Sequence, residues 1–248
     1  MSRVARGFAS CAVLLAVLPW IPGLDGNFAR SLLSQMGIAA IFAISYNLLL
    51  GQTGLLSFGH AVYFGIGGYA AIHLLRAVNG GVPIPAPLVP IAGALAGLVA
   101  GIVFGAVATR RAGTIFALIT LGVGELVHAA SLMLPAFFGG EEGITASRTK
   151  APHFAGLDLG SQVQVYYVIA FWLLAAALVA LAFMRTPVGR MCNAVRDNPE
   201  RAEFIGYNPR RVRLIACSVA AMLAGLAGGL HAINYEIVTS DAVGATRS

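Results

Sequence analysis

Seven apolar stretches, each close to the roughly 20 residues a helix needs to cross a bilayer, follow one another at residues 7–24, 29–50, 61–78, 88–108, 114–138, 163–184 and 214–235. The polar stretches between them are too short for a separate water-soluble domain, so residues 1–248 read as a single transmembrane domain. Charged residues make up 10% of the chain, against about 25% in an average soluble domain. That is too few to cover a soluble surface. Backbone groups in hydrocarbon must satisfy one another, and helical runs of this length predict an all-α integral membrane bundle of about seven transmembrane helices. Arg3 and Arg6 precede the first run as in a signal peptide, but no small-x-small cleavage site separates it from the second, so it is read as a span.

A net charge of +6 raises the question of nucleic acid, yet the basic residues sit between apolar runs and no basic surface is interleaved with aromatics. No nucleic-acid partner is expected. With the N-terminus on the cytoplasmic side, eleven of the sixteen basic residues fall inside: Arg3, Arg6, Arg110, Arg111, Arg185, Arg190, Arg196, Arg201, Arg210, Arg211 and Arg213. Arg30, Arg76, Arg148, Lys150 and Arg247 fall outside. This asymmetry obeys the positive-inside rule and supports that orientation.

Cys11, Cys192 and Cys217 are odd in number and far apart, which indicates neither a disulfide framework nor a metal site. Gly93, Gly97, Gly101 and Gly105 form one small-residue stripe, and Cys217, Ala221, Gly225 and Gly229 another. Both are read as packing surfaces where helix backbones approach closely.

Three segments carry the functional expectations. In Tyr46–His60, glycines and hydrogen-bonding side chains interrupt an apolar stretch, so the sequence predicts either a broken, re-entrant segment near 46–60 or a short cytoplasmic turn. Asn47, Gln52, Ser57 and His60 are its candidates for a translocation pathway. Glu125 lies in mid-span with His128 on the same face. An ionisable group there suggests function, and Glu125 joins the pathway candidates beside the simpler reading of a protonated carboxyl bonded to a neighbouring helix. His128 reads as a satisfied packing residue.

The third segment is the cytoplasmic loop 185–213. Asn198 before Pro199 is a helix start, Glu200 sits near the positive end of the dipole, and Gly206 is a stop. Asn208 before Pro209 repeats the start signal. A short helix bounded in this way, with Ala202 and Ile205 on one face and Phe204 adjacent, suits docking into a groove on a soluble partner.

Four blocks of sequence carry a family resemblance: YNLLLGQTGLLSFGHAVYFGIGGYAA from Tyr46, TRRAGTIFALITLGVGEL from Thr109, FGGEEGIT from Phe138 and TPVGRMCNAVRDNPERAEFIG from Thr186. The chain resembles the permease subunits of branched-chain amino-acid ATP-binding-cassette importers, of the LivM-like branch. The resemblance implies a coupling segment at Arg196, Asp197, Glu203 and Gly206. It implies two ATPase subunits that bind the ATP, a second related permease, an external solute-binding protein and an amino-acid substrate, in a bacterial-type cytoplasmic (inner) membrane. It also implies a chain that continues past Ser248, so this one reads as truncated at its C-terminus.

Lys150, the single lysine, follows no glycine-rich phosphate loop, so this chain is not expected to be the ATPase or to hold a cofactor, and the resemblance implies that ATP is hydrolysed in the partners. Leucine, isoleucine and valine are the expected substrates, with urea and short amides as the alternative. An ion-coupled secondary transporter and a non-transporting membrane scaffold are the readings from other classes.

Overall fold

The computed structural model describes residues 2–21, 26–140, 142–149 and 159–244. Lys150, Arg247, Glu141, the end of the first expected span at 22–24, and the side chains of Arg3 and Arg6 lie outside the described part.

Among the described residues, six helices are long and apolar enough to span a membrane: α2 Asn27–Thr53, α3 Ala61–Asn79, α4 Val89–Ala108, α5 Thr114–Met133, α7 Gln162–Arg185 and α10 Pro209–Tyr235. The first run forms α1, Ser2–Val17, and a 3-10 turn at Leu18–Trp20. Its apolar helical part, Gly7–Trp20, rises about 21 Å at 1.5 Å per residue, short of a bilayer core of roughly 30 Å. Its far end is pinned to the start of α7, where Tyr166 donates to the Leu15 carbonyl (2.9 Å) and the Trp20 indole to the Tyr167 hydroxyl (2.8 Å). The expected span 114–138 divides at Leu134. Pro135 has no N–H to continue α5 and opens the one-turn helix α6, Pro135–Phe138.

The two small-residue stripes pack against each other. A Cβ on Gly97 would stand 2.9 Å from the Gly225 Cα, and one on Gly101 would stand 3.0 Å from the Ser218 Cα. A Cβ on Gly93 would stand 2.9 Å from the Gly67 carbonyl oxygen and 3.1 Å from the Gly229 Cα. Backbones of α3, α4 and α10 thus meet directly, the close approach that small residues permit in the absence of a hydrophobic drive between helices in lipid. α10 is the central element and packs on α4, α3 and α2, with Ala220, Ala224, Ala227 and Leu230 fully buried.

The two ends of the bundle differ. At the arginine-rich end lie α8 Pro187–Asp197 and α9 Pro199–Phe204. Arg210 donates there to the Ala106 carbonyl (3.2 Å), where a cation suits the negative end of α4. At the opposite end β1, Ile144–Thr145, pairs antiparallel with β2, Ile237–Val238. Beside that pair the Arg148 guanidinium donates to the last carbonyls of α10, Ile233 (3.1 Å) and Asn234 (2.9 Å), and to Gln162 Oε1 (3.0 Å). Burial works against the Arg148 charge, and the neighbouring Glu236 carboxylate supports it. Glu236 ends α10 in the left-handed region (φ 57°), and its carboxylate accepts from the Arg148 backbone N–H at 2.6 Å.

Candidate functional site

α2 runs unbroken through Tyr46 and Asn47 to Thr53, so the interruption is confined to residues 54–60. Gly54 caps α2 with φ 68°, a conformation that favours glycine. Residues 54–57 belong to no helix, 58–60 form a turn, and α3 begins at Ala61. This stretch alternates exposed and buried residues as it turns back along α2. His60 is fully buried beside Ser45, eight residues or about 12 Å back along α2. The segment re-enters the bundle.

Protein supplies a partner for part of this broken backbone. The Phe58 N–H donates to Thr120 Oγ1 of α5 (3.2 Å), and Gly59 lies so close to the Thr120 carbonyl that no side chain fits between them. The Ser45 hydroxyl donates its single proton to the Ala220 carbonyl (2.7 Å). At 2.6 Å from His60 Nε2 it is therefore the acceptor, which places the ring proton on Nε2. His60 Nδ1 and the Ser57 hydroxyl are buried without a hydrogen-bond partner among the described residues.

Above the break lies a cavity of about 590 Å³ between α2, α3, α10 and β2. Phe42, Ala61 and Phe64 form its deep end, while Gln35, His231, Tyr235 and Thr239 also line it. The Phe42 ring packs against His60 (centroids 5.3 Å) and edge-on against Phe64 (5.6 Å), so the cavity floor and the buried polar cluster share a wall. Apolar rings and hydrogen-bonding groups line it together, with the His231 ring against Phe64 (centroids 5.4 Å), a mixture that suits a small amphipathic solute.

The structure separates the five pathway candidates. Ser57 and His60 are both buried in the break, Gln52 is half-buried, and Asn47 is exposed on α2. Glu125 belongs to a different face: it is exposed on α5 and makes no hydrogen bond among the described residues, so the simpler expectation of a bond to a neighbouring helix is not met within them. A carboxyl in mid-span is costly against lipid, and this face of α5 therefore suits water or another protein surface. His128 is half-buried and bonds the Ser240 carbonyl through Nδ1 (3.3 Å).

In the arginine-rich loop both expected start signals form caps. Asn198 Oδ1 accepts from the Arg201 N–H (2.9 Å), and Asn208 Oδ1 from Arg210 (3.0 Å) and Arg211 (3.2 Å). Gly206 adopts φ 96° after the helix ends. Ala202 and Ile205 do not share a face: Ala202 is 3% exposed and turned inward, whereas Ile205 follows the last helical residue and is 70% exposed. With Phe204, 90% exposed, it forms an apolar projection. Of the expected coupling residues, Asp197, Glu203 and Gly206 are exposed. Arg196, also exposed, reaches back to its own chain and donates to the Gly51 carbonyl of α2.

α8 itself escaped the sequence reading, although Thr186 before Pro187 is the same kind of start signal, and the Thr186 hydroxyl accepts from the Gly189 N–H at 3.1 Å. Burial against the bundle pushes the Cys192 thiol of α8 up to about 11. Relative to the ordinary value of 9.0, its thiolate fraction at neutral pH is lower by about 100-fold. Maleimide is expected to leave Cys192 unlabelled in the folded protein and to label it on denaturation. Rapid labelling of the folded protein would show that α8 does not pack as described.

The sequence model of a family described as "Branched-chain amino acid transport system / permease component" matches residues 28–247. The high-affinity branched-chain amino acid transport system permease protein LivM of Escherichia coli (strain K12) is 28% identical over 97% of this chain and 60% of its own length. The related permease protein LivH of Salmonella typhimurium is 22% identical over 80% of this chain and 68% of its own. A nucleoside ABC transporter permease protein, NupB of Lactococcus lactis, is 30% identical over 33% of this chain and 22% of its own. The chain thus spans about 60% of the length of the LivM relatives it matches. No solved structure matches.

Proposed function

The chain belongs to the branched-chain amino acid transport permease family, and on that premise we propose that it forms one membrane-spanning subunit of an ATP-driven importer for leucine, isoleucine and valine. The observation that carries this reading is the cavity whose floor adjoins the end of a re-entrant segment, in a bundle with an apolar projection at its arginine-rich end. The arginine-rich end faces the cytoplasm of a bacterial-type inner membrane, by the positive-inside rule. Phe204 and Ile205 dock on an ATPase subunit, one of two in the assembly. A second related permease completes the membrane part, and an external binding protein delivers the solute to the opposite end. The chain performs no covalent chemistry. ATP bound and hydrolysed in the partners alternates the exposure of the cavity.

The substrate assignment rests on the rings at the cavity floor, which offer a branched aliphatic side chain an apolar wall, and on the transport function for which the LivM and LivH relatives are named. The nucleoside permease among the relatives makes a nucleoside the competitor to test. In proteoliposomes holding the assembled importer, leucine uptake is expected to require ATP, to survive collapse of ion gradients, and to be competed by isoleucine and valine but not by urea or a nucleoside. Phe42→Ala is expected to raise the KM for leucine about tenfold, the scale of a lost apolar contact in a binding pocket, with little change in subunit assembly. Uptake that persists without ATPases and tracks an ion gradient would refute the importer reading.

A further inference from the structure

The family resemblance places Arg196 among contacts to an ATPase, and its half-exposed side chain also reaches its own chain. α8 is seated on the bundle by Cys192 and Val195, both nearly fully buried. From its last turn Arg196 sends Nη1 to the Gly51 carbonyl, in the last turn of α2, where carbonyls lack partners within the helix. The stem of the same side chain covers Gly54: a Cβ there would stand 3.0 Å from Arg196 Cγ. Both the head and the stem of one arginine therefore hold the corner where α2 ends and the re-entrant segment begins. Its neighbour Asp197 lies 3.8 Å from Nε and is 76% exposed, a surface pair of little energetic weight.

Beyond Gly54 the chain has little slack. Residues 55–60 are held by the bond of Phe58 to Thr120, by the contact of Gly59 with the Thr120 backbone, and by the bond of His60 to Ser45. Ala61, the next residue, already lines the cavity. On the other side of Arg196, Asn198 ends α8 and caps α9, so the apolar projection at Phe204 is one short helix away. A continuous series of bonds and contacts thus runs from the projection to the cavity floor, and Arg196 is one link in it between the loop and α2, beside the packing of α8 on α2, α7 and α10.

We propose that Arg196 is a positioning residue that transmits movement of the arginine-rich loop to the re-entrant segment and the cavity floor, through its contacts with Gly51 and Gly54. The proposal rests on the importer reading, in which the ATPases move that loop. It assigns Arg196 to coupling within the permease and leaves docking to Phe204 and Ile205.

The test compares wild-type, Arg196→Ala, Arg196→Lys and Arg196→Gln in the assembled importer, reading three quantities: ATPase subunits that copurify, ATP hydrolysed, and leucine taken up. With Arg196→Ala the ATPases still copurify, while uptake per ATP falls about tenfold, within the usual range of coupling between sites. Arg196→Lys restores most of that ratio because an ammonium can still donate to the Gly51 carbonyl. Arg196→Gln, which keeps an aliphatic stem and an uncharged donor, falls between the two and serves in place of the alanine variant if that one fails to fold. Loss of ATPases from the complex would place Arg196 at the docking surface and overturn the proposal, as would uptake per ATP equal to wild type. A wild-type complex without ATP-driven uptake sinks the importer reading, and the proposal with it.

Discussion

Gly228→Ala is expected to remove most of the folded protein from a detergent extract. A single added methyl group at this position would overlap the Phe64 carbonyl oxygen and stand 2.8 Å from the Phe64 carbonyl carbon and 2.9 Å from the Gly68 nitrogen. All three are backbone atoms, so no side-chain rotation relieves the overlap. α3 and α10 must separate along the seam where Gly67 meets Gly225 and Gly68 approaches Gly228. Overpacking of a close-packed core costs about 1–3 kcal/mol even where side chains can shift, and a rigid backbone places this case at or above the upper end. Size-exclusion chromatography of a fluorescent fusion should show the monodisperse peak lost. Gly122→Ala is the control, because a Cβ there meets nothing within 4 Å. If both variants gave wild-type peaks, the direct contact of α3 with α10 would be wrong.

The second large effect is expected at the apolar projection. Phe204 and Ile205 are exposed in a loop otherwise rich in charge, at the end of a helix fixed by the Asn198 cap and the inward Ala202. Such a projection, held rigidly, matches an anchor that fills a pocket on a partner. Truncating an anchor of this kind commonly costs about 2 kcal/mol or more, roughly a 30-fold loss of affinity. A charge placed in the same pocket adds desolvation, so Phe204→Asp with Ile205→Asp is expected to abolish binding of the ATPase subunits to the purified permease in a pull-down. Phe204→Leu should keep most of it. Because both side chains are exposed in the isolated chain, the folded yield should not change, and undiminished binding by the double variant would remove this surface from the docking assignment.

The spans were legible because their signal is local and repeated: a long apolar run can satisfy its backbone only as a helix. Pro135 divides the fifth run, a boundary that proline chemistry predicts and hydropathy alone conceals. The caps at Asn198 and Asn208 were legible for the same local reason, and Thr186 before Pro187 offered the same cue. Features that depend on a distant partner were not. Ser45 and Thr120 are hydroxyl residues among several in apolar runs, and although Thr120 also bonds Ala117 of its own helix, both hold the re-entrant segment, which no local signal announced. The two small-residue stripes announced close packing without saying that they meet each other. Arg196 was expected to couple to a partner, and no local signal announced that it also bonds Gly51 of its own chain.

The re-entrant corner also has a bearing on inheritance. Its ends are fixed at Gly54 and at the His60 bond to Ser45, and its middle is pinned at Thr120. One residue added or lost there would displace the chain by about 3.3 Å and exchange the sides on which neighbouring side chains point. Side chains at such a corner can be substituted one at a time, but its length cannot change without uncoupling all three attachments at once. Insertions and deletions that persist in a lineage of such proteins would have to fall elsewhere, in connections free of these depth constraints.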